Sequence, residues 1–181
     1  MTRCPWLPLQ YPLYVEYHDT EWGVPSWDGR NLFECLCLEG AQAGLSWWTV
    51  LQKREHYRKV FHHFQPVQVA KMTDMELDGL VFDSGIIRHR GKIFSVRQNA
   101  LAWLKLEDPV EWLWSFTDGK PIVNMRKSMA DFISHSPESD ALSRALKRAG
   151  FSFVGTTTAY AFMQAVGMVN DHTEDCCCKK Y

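Results

Sequence analysis

Four residues that often bind metals lie in two pairs near the ends of the chain. Cys4 and His18 form the first pair, and His172 and Cys176 form the second. His172 and Cys176 are four residues apart, so on a helix their side chains would share one face. Thiolate and imidazole groups suit a structural zinc ion, which takes four ligands in a tetrahedral arrangement. One interpretation of these residues is therefore a Cys2His2 zinc site that joins the two ends of the chain.

Two other interpretations use the same carboxyl-terminal residues. The pairs are not spaced as in a zinc finger, and Cys177 and Cys178 follow Cys176, so the segment could be a tail of free thiols. Residues 172–174 also match the H-x-E motif of zinc nucleobase deaminases, in which the glutamate transfers protons. That motif needs a later P-C-x-x-C sequence, and CCCKKY follows here instead. A deaminase is therefore disfavoured, while the zinc site and the free thiols both remain open.

A second group of residues surrounds Glu39 in the apolar stretch CLCLEGAQAGLSWWTVL, residues 35–51. A carboxylate in such a segment lies either at the solvent edge or in a site that uses it, because burying it alone is costly. Tyr14 and Tyr17 and the SWW sequence offer aromatic faces that could hold a flat, cationic ring. The alternative is that Glu39 forms a cap or a salt bridge and that the tryptophans belong to the core.

The stretch GFSFVGTT predicts a turn between two helices. Gly150 and Gly155 bracket the turn, and Thr156 and Thr157 begin the next helix. Free N–H groups at the start of a helix bind phosphate well. Two basic residues precede the turn, and residues 86–98 form another basic stretch. These features favour contact with a DNA backbone, although such basic stretches are more often solvated faces.

Helical periodicity along nearly the whole chain predicts an all-α domain whose two ends are brought together. Most of the expected helices have a residue that can cap the first turn, and the DGKP sequence at Asp118 could close a short hairpin. The expected helices begin after Asp28, after Ser46 (through residue 61), at residues 73–76, at about Arg90 (to about Leu106), after Ser136 (to Gly150) and at about Thr157 (to Gly167).

Length and composition are those of an ordinary globular chain. A chain of 181 residues suits one domain, and the net charge of -1 means that only a local basic patch could meet a nucleic acid. The start of the chain has no signal-peptide pattern, and no stretch is long and apolar enough to span a membrane. We therefore expect a protein of the reducing cytoplasm, where six cysteines indicate free thiols or metal ligands rather than disulfides.

Several long motifs together resemble the bacterial 3-methyladenine DNA glycosylase I family. They are RCPW, YHDTEWGVP, FECLCLEGAQAGLSWWTVLQKRE, GIIRHRGKI and GFSFVGTTTAYAFMQAVGMVNDH, and the similarity runs from residue 3 to residue 178. The resemblance implies an all-α helix–hairpin–helix glycosylase fold in a single unit, residues 1–181. It places the hairpin at residues 150–157, and it implies a structural zinc ion that joins residues 4–18 to residues 172–176.

The resemblance also implies an activity and its residues. The expected enzyme is a monomer of the bacterial cytosol and nucleoid that hydrolyses the N-glycosidic bond of 3-methyladenine in double-stranded DNA and releases the base. The family's base-recognition carboxylate corresponds to Glu39, with Tyr17 and Trp47 lining the pocket near Tyr14. We expect Leu45 to fill the gap that the extruded base leaves, unless it only packs on its own helix. The implied zinc ligands are Cys4, His18, His172 and Cys176.

The resemblance raises one question about acid catalysis. Most helix–hairpin–helix glycosylases carry a catalytic aspartate shortly after the hairpin, and Asn170 takes that place here, with Asp171 as the alternative if the register differs by one. An N3-methylated adenine is cationic and leaves as a neutral molecule, so a strong general acid is dispensable. We expect water to be the nucleophile and neutral purines to be poor substrates. A rival hypothesis is a non-catalytic, zinc-stabilised module that binds damaged DNA.

Overall fold

Helices make up nearly all of the regular structure in the computed structural model, which describes residues 1–179. The longest helices, α2, α7, α9 and α10, form the centre of the molecule. The helices are α1 (Pro12–Thr20), α2 (Gly29–Gln42), α3 (Trp47–Leu51), α4 (Arg54–Val60), α5 (Pro66–Val69), α6 (Asp74–Leu80), α7 (Arg90–Trp103), α8 (Pro109–Trp114), α9 (Pro137–Arg148) and α10 (Thr156–Ala165). Short 3-10 turns span His62–Phe64, Ser115–Thr117 and Met129–Asp131. Within the described residues no helix is both long and apolar enough to cross a membrane.

Local capping chemistry sets the helix starts where the sequence predicts them. The side chain of Asp28 accepts hydrogen bonds from two backbone N–H groups at the start of α2. Thr73 and Glu76 form the expected capping box at the start of α6, and Ser136 caps α9. Each such cap contributes about 1 kcal/mol. These starts are confirmed because their partners lie within three residues along the chain.

Three other expectations about local structure are wrong. The single helix expected after Ser46 is divided into α3 and α4, with the break at residues 52 and 53. The helix that begins at Arg90 ends at Trp103, three residues earlier than expected. Asp118 does occupy a turn with left-handed φ of 52°, but the strand after it closes no hairpin.

That strand instead pairs with the carboxyl-terminal segment. Strand β1 (Ile122–Val123) runs parallel to β2 (Val169–Asn170), and an isolated bridge continues the pairing from Arg126 to Thr173. Parallel strands need a long connection, which α9 and α10 supply here. The pairing therefore fixes residues 169–173 in the interior, although they are distant in sequence from β1.

Helix α2 is the central element and carries Glu39. Leu32, Phe33 and Leu36 on this helix are fully buried, and the helix packs against α7 and α10. A side chain at Gly40 would bring its Cβ to 3.2 Å from the Cβ of Phe153, so glycine lets the turn between α9 and α10 approach α2 closely. The helix thus brings Glu39 and the predicted DNA-binding turn into one region.

Candidate functional site

A cavity of about 220 Å³ opens beside Glu39. Helices α1, α2, α3 and α10, residues near the amino terminus and the segment around residues 129–132 all contribute to its wall. Most of the lining is aromatic, and Glu39 is the one charged side chain in it among the described residues. The aromatic lining residues are Trp6, Tyr14, Tyr17, Trp22, Trp47 and Phe132.

Among the described residues, the carboxyl group of Glu39 has no partner that would explain its burial. Only 4% of the residue is exposed, and its Oε2 atom makes no hydrogen bond within residues 1–179. Burial raises the pKa of Glu39 to about 8 because it penalises the charged form. The alternative that Glu39 serves as a cap or in a salt bridge is therefore wrong. An unsatisfied buried carboxyl facing a cavity suits a ligand that brings a positive charge or N–H donors.

Two tryptophans of the cavity also have unsatisfied polar atoms. The indole Nε1 atoms of Trp6 and Trp47 are buried and make no hydrogen bond within residues 1–179. Trp47 packs against Tyr17, with ring centroids 5.2 Å apart, and Tyr14 stacks on Trp48 at 6.0 Å. Burial raises the pKa of Tyr14 to about 12, so this phenol keeps its proton. The cavity thus combines aromatic faces with a few polar atoms, which suits a flat heterocycle.

The four candidate metal ligands lie together, as the sequence pattern suggests. Their ligand atoms are all within 4.8 Å of one another, and all four residues are buried. The segment that carries His172 and Cys176 is not helical, so the helical-face reason for pairing them is wrong. A turn brings Cys176 back instead, with its N–H donating to the carbonyl of Thr173.

Neighbouring groups orient the two histidines towards this cluster. The Nδ1 atom of His18 lies 2.8 Å from a carboxylate oxygen of Asp19, and that of His172 lies 3.0 Å from Oδ1 of Asn170. Because both oxygens only accept, each Nδ1 carries the proton and each Nε2 keeps a lone pair for an ion. Burial lowers the pKa of His172 to about 4, which keeps that ring neutral, and its buried Nε2 has no hydrogen-bond partner in the part of the chain that the structure describes.

The two cysteines of the cluster accept backbone hydrogen bonds. The N–H of Thr173 donates to Sγ of Cys4 at 3.4 Å, and that of Cys178 donates to Sγ of Cys176 at 3.5 Å. Burial raises the pKa of Cys4, and the bond from Thr173 opposes that rise in part. The side chains of Cys177 and Cys178 lie outside this group of four, with Cys177 exposed. The Cys2His2 donor set therefore fits a tetrahedral zinc ion.

The cluster and the cavity share a wall. The ring of Trp22 lies edge-on to that of His172, with centroids 4.7 Å apart, and Trp6 lies edge-on to His18 at 5.3 Å. Both tryptophans line the cavity. We therefore expect a change in the cluster to affect the aromatic wall.

Comparison with known proteins identifies the family. The family model for methyladenine glycosylases matches residues 6–179. The chain belongs to the methyladenine glycosylase family. It is 54% identical to DNA-3-methyladenine glycosylase 1 of Escherichia coli, over 98% of this chain and 97% of that protein.

Solved structures of family members have the same mostly helical fold with little strand. A crystal structure of 3-methyladenine DNA glycosylase I (TAG) has a TM-score of 0.96 and 52% identity, and the match covers 98% of this chain and 99% of that one. The Staphylococcus aureus enzyme, solved to explain its recognition of 3-methyladenine, has a TM-score of 0.93 and 37% identity over 95% of this chain and 94% of that one.

The predicted DNA-binding turn of this family member joins α9 to α10. Gly150 has a left-handed φ of 95°, and Gly155 precedes the first residue of α10. The hydroxyl of Thr156 donates to Asp140, so it is not free for a phosphate as the sequence suggests. Thr157 is exposed at the start of the helix. The backbone N–H groups of this first turn remain the expected phosphate donors.

The basic stretch of residues 86–98 is only partly the solvated face that its composition suggests, because Arg88 and Arg90 are exposed whereas Lys92 is buried. Arg90 pairs with Asp78, and Arg97 pairs with Asp74. Lys92 points inward, and its Nζ atom donates to the carbonyl oxygens of Ala41 at 2.9 Å and Ala43 at 2.5 Å. These carbonyls end α2, where a cation is favourable.

Lys92 thereby holds the loop that presents Leu45. Leu45 is 41% exposed between Gly44, which has φ of 78°, and Ser46, which caps α3. The exposed side chain lines a groove with Lys53 and Arg88. This position is compatible with the predicted insertion into DNA, which stays a prediction.

Replacement of Lys92 with Met is expected to destabilise the fold by about 1–3 kcal/mol, because two carbonyl oxygens at the end of α2 lose their donor. Urea unfolding followed by circular dichroism measures this loss. The matched control is Arg88→Met in the same stretch, which changes an exposed side chain and should alter stability by less than about 0.5 kcal/mol. Equal effects of the two substitutions would contradict the assigned role of Lys92.

The sequence analysis missed several lining residues. Trp6, Trp22, Phe132 and Gln164 reach the cavity from four separate parts of the chain. Asp171, the alternative catalytic acid, is fully buried, and Gln164 is one of the side chains that donate to it. No local pattern marks these residues, because only the folded chain brings them to one cavity.

Proposed function

We propose that this protein is a monofunctional DNA glycosylase that hydrolyses the N-glycosidic bond of 3-methyladenine in alkylated DNA, a step of base excision repair. The observation that carries the proposal is the buried carboxyl group of Glu39 in an aromatic cavity, where it has no partner among the described residues. Membership of the methyladenine glycosylase family and 54% identity to an enzyme named for this base support the same conclusion.

The chemistry of the cavity suits the methylated base. Methylation at N3 gives adenine a positive charge, which the aromatic faces of Tyr17 and Trp47 attract. The carboxylate of Glu39 would accept a hydrogen bond from the ring and offset its charge. The base must leave the duplex to enter the cavity, at a cost of a few kcal/mol that is smaller for a damaged base.

Cleavage of the N-glycosidic bond then does not need a strong general acid to protonate the base. The cationic base departs as a neutral molecule, so its leaving-group ability is already high. Glu39 would stabilise the positive charge that develops on the sugar as the bond breaks. Asp171 is not a free acid, because four side chains donate hydrogen bonds to its carboxylate. Water would be the nucleophile, so no lyase activity is expected.

We further propose that one zinc ion binds Cys4, His18, His172 and Cys176. The oriented imidazoles, the backbone donors to both sulfur atoms and the unsatisfied Nε2 of His172 support this assignment. When bound, zinc would cross-link residues 4–18 to residues 172–176. Its role would be structural, and the reaction would take place in the cavity. His18 and His172 would then hold Trp6 and Trp22 in the cavity wall.

We propose that a helix–hairpin–helix element makes the DNA contacts. This element belongs to a single unit, residues 1–181, and positions 180 and 181 of that unit lie outside the described residues. Residues from Gly150 to Thr157 would bind the backbone of double-stranded DNA. Leu45 would fill the space left by the extruded base. We propose that the protein acts as a monomer.

Release of the base is the direct test. With methylated DNA as substrate, the protein should release 3-methyladenine, identified by chromatography, and DNA containing hypoxanthine should yield at least about 100-fold less product because nothing protonates a neutral purine. Comparable rates for the two bases would contradict the mechanism. Binding of methylated DNA without release of any base would instead support the rival function, a non-catalytic module that recognises damage.

A further inference from the structure

We propose that Gln164 is a second base-recognition residue, held in one amide orientation by Asp171, and that it favours a purine with a 6-amino group over one with a 6-oxo group. The inference rests on the proposed function and deepens it. Gln164 lies on α10 and lines the same cavity as Glu39 on α2. The two helices pack against each other, so both side chains can contact one bound base.

The orientation of the Gln164 amide is fixed by its neighbour. Its Nε2 atom donates to Oδ2 of Asp171 at 2.8 Å. An ionised carboxylate only accepts hydrogen bonds, so the NH2 group of Gln164 must face Asp171. The carbonyl Oε1 atom therefore faces away from Asp171, and it has no hydrogen-bond partner among residues 1–179. The amide thus keeps an acceptor atom available to a ligand in the cavity.

Asp171 is itself held firmly, which makes this orientation rigid. The residue is fully buried. Its Oδ1 atom accepts from Asn124 at 2.8 Å and from Arg126 at 2.9 Å, and its Oδ2 atom accepts from the Tyr160 hydroxyl at 2.6 Å. Every one of these partners donates, and the Arg126 guanidinium supplies a compensating charge. Asp171 is therefore a positioning residue that acts on the base through Gln164.

Two acceptors in the cavity discriminate between methylated purines. The 6-amino group of 3-methyladenine carries two N–H donors, which match the carboxylate of Glu39 and the Oε1 atom of Gln164. The 6-oxo group of 3-methylguanine would instead place an acceptor against these acceptors, which is repulsive. Both methylated bases are cationic and leave as neutral molecules. A difference between their excision rates therefore reports recognition rather than leaving-group chemistry.

The decisive measurement is the ratio of single-turnover excision rates for 3-methyladenine and 3-methylguanine. In the Gln164→Met variant, which keeps the shape of the side chain and removes its acceptor, the ratio should fall by about tenfold or more. Binding of free 3-methyladenine, followed by the fluorescence of the cavity tryptophans, should weaken by a similar factor. The control Gln68→Met changes an exposed residue of α5 outside the cavity and should leave both values unchanged.

A second variant tests the role of Asp171 independently. Asp171→Asn keeps the size of the side chain but offers an NH2 group to Gln164, so the amide is free to turn its own NH2 group towards the cavity. The selectivity ratio should then fall although Gln164 is present. This variant also serves if Gln164→Met does not fold.

The outcomes separate the inference from the proposed function. If the unmodified protein excises 3-methyladenine but folded Gln164→Met slows both bases equally, Gln164 has a structural role only and the inference is overturned. An unchanged ratio in folded Asp171→Asn would remove the assigned role of Asp171. If the unmodified protein releases no 3-methyladenine at all, the proposed function fails and the inference fails with it.

Discussion

Replacement of Glu39 with Gln is expected to lower excision of 3-methyladenine by at least about 100-fold while making the protein more stable at neutral and alkaline pH. The loss follows because glutamine keeps the shape of the side chain but not the negative charge that faces the cationic base. The gain follows because the folded protein no longer has to bury a carboxyl group without a partner.

The pH dependence of stability distinguishes this explanation from others. The pKa of Glu39 is about 8 in the folded protein and close to the ordinary value of 4.5 in the unfolded chain. Between these values the folded state holds a proton that the unfolded state has lost, so stability falls as pH rises, by about 1.4 kcal/mol per pH unit. Glu39→Gln should match the unmodified protein near pH 4.5 and exceed it increasingly towards pH 8.

Catalysis should depend on pH in the opposite direction. A proton on Glu39 competes with the cationic base for the same carboxylate, so kcat/KM should rise with pH up to about 8 and then level off. In Glu39→Gln this rise should be absent from the residual activity. Thermal unfolding and single-turnover excision across pH 5 to 9, both with purified protein, measure the two effects.

Glu34 provides a matched control on the same helix. It is also buried, at 3% exposure, but it pairs with Arg58, whose Nε lies 2.8 Å from its Oε1. Glu34→Gln should therefore destabilise the protein, by about 3 kcal/mol for a broken buried pair, while Glu39→Gln stabilises it. Equal destabilisation by the two substitutions, or full activity in Glu39→Gln, would contradict the assigned role of Glu39.

Replacement of Cys176 with Ser is the second substitution for which we expect a large effect, on both zinc content and stability. The variant should lose the bound zinc and a substantial part of its stability, because zinc binding contributes on the order of 10 kcal/mol in small zinc proteins. Since His18 and His172 contact Trp6 and Trp22 in the cavity wall, binding of free 3-methyladenine should also weaken. Metal analysis of the purified protein and thermal unfolding with and without a chelator measure these changes.

The adjacent cysteines give the control. Cys177→Ser and Cys178→Ser remove thiols of the same tail that lie outside the four-residue cluster, so these variants should keep about one zinc ion per chain. We expect a chelator to lower the unfolding temperature of both variants by as much as that of the unmodified protein. If all three substitutions lower the zinc content and the unfolding temperature by the same amount, the assignment of Cys176 as a zinc ligand is wrong.

The elements with local signals could be predicted from the sequence alone. Asp28, Thr73 and Ser136 start helices where predicted, because each caps backbone N–H groups within three residues of itself. Glu39 was recognisable as unusual because a carboxylate stands in an apolar helix. The four residues of the candidate metal site are also identifiable from the sequence, by their types and by the family resemblance.

The surroundings of those residues were decided only by the tertiary structure. Cys176 approaches His172 through a turn after Thr173, which pairs with Arg126, and not through the one face of a helix that the spacing would give. Lys92 points inward to the end of α2, and Gln164 meets Asp171 behind the cavity. The physical reason is the distance along the chain between the residues that interact. Capping and periodicity depend on neighbours a few residues away, whereas burial, an unsatisfied carboxyl group and the direction of an amide depend on segments that only the folded chain brings together.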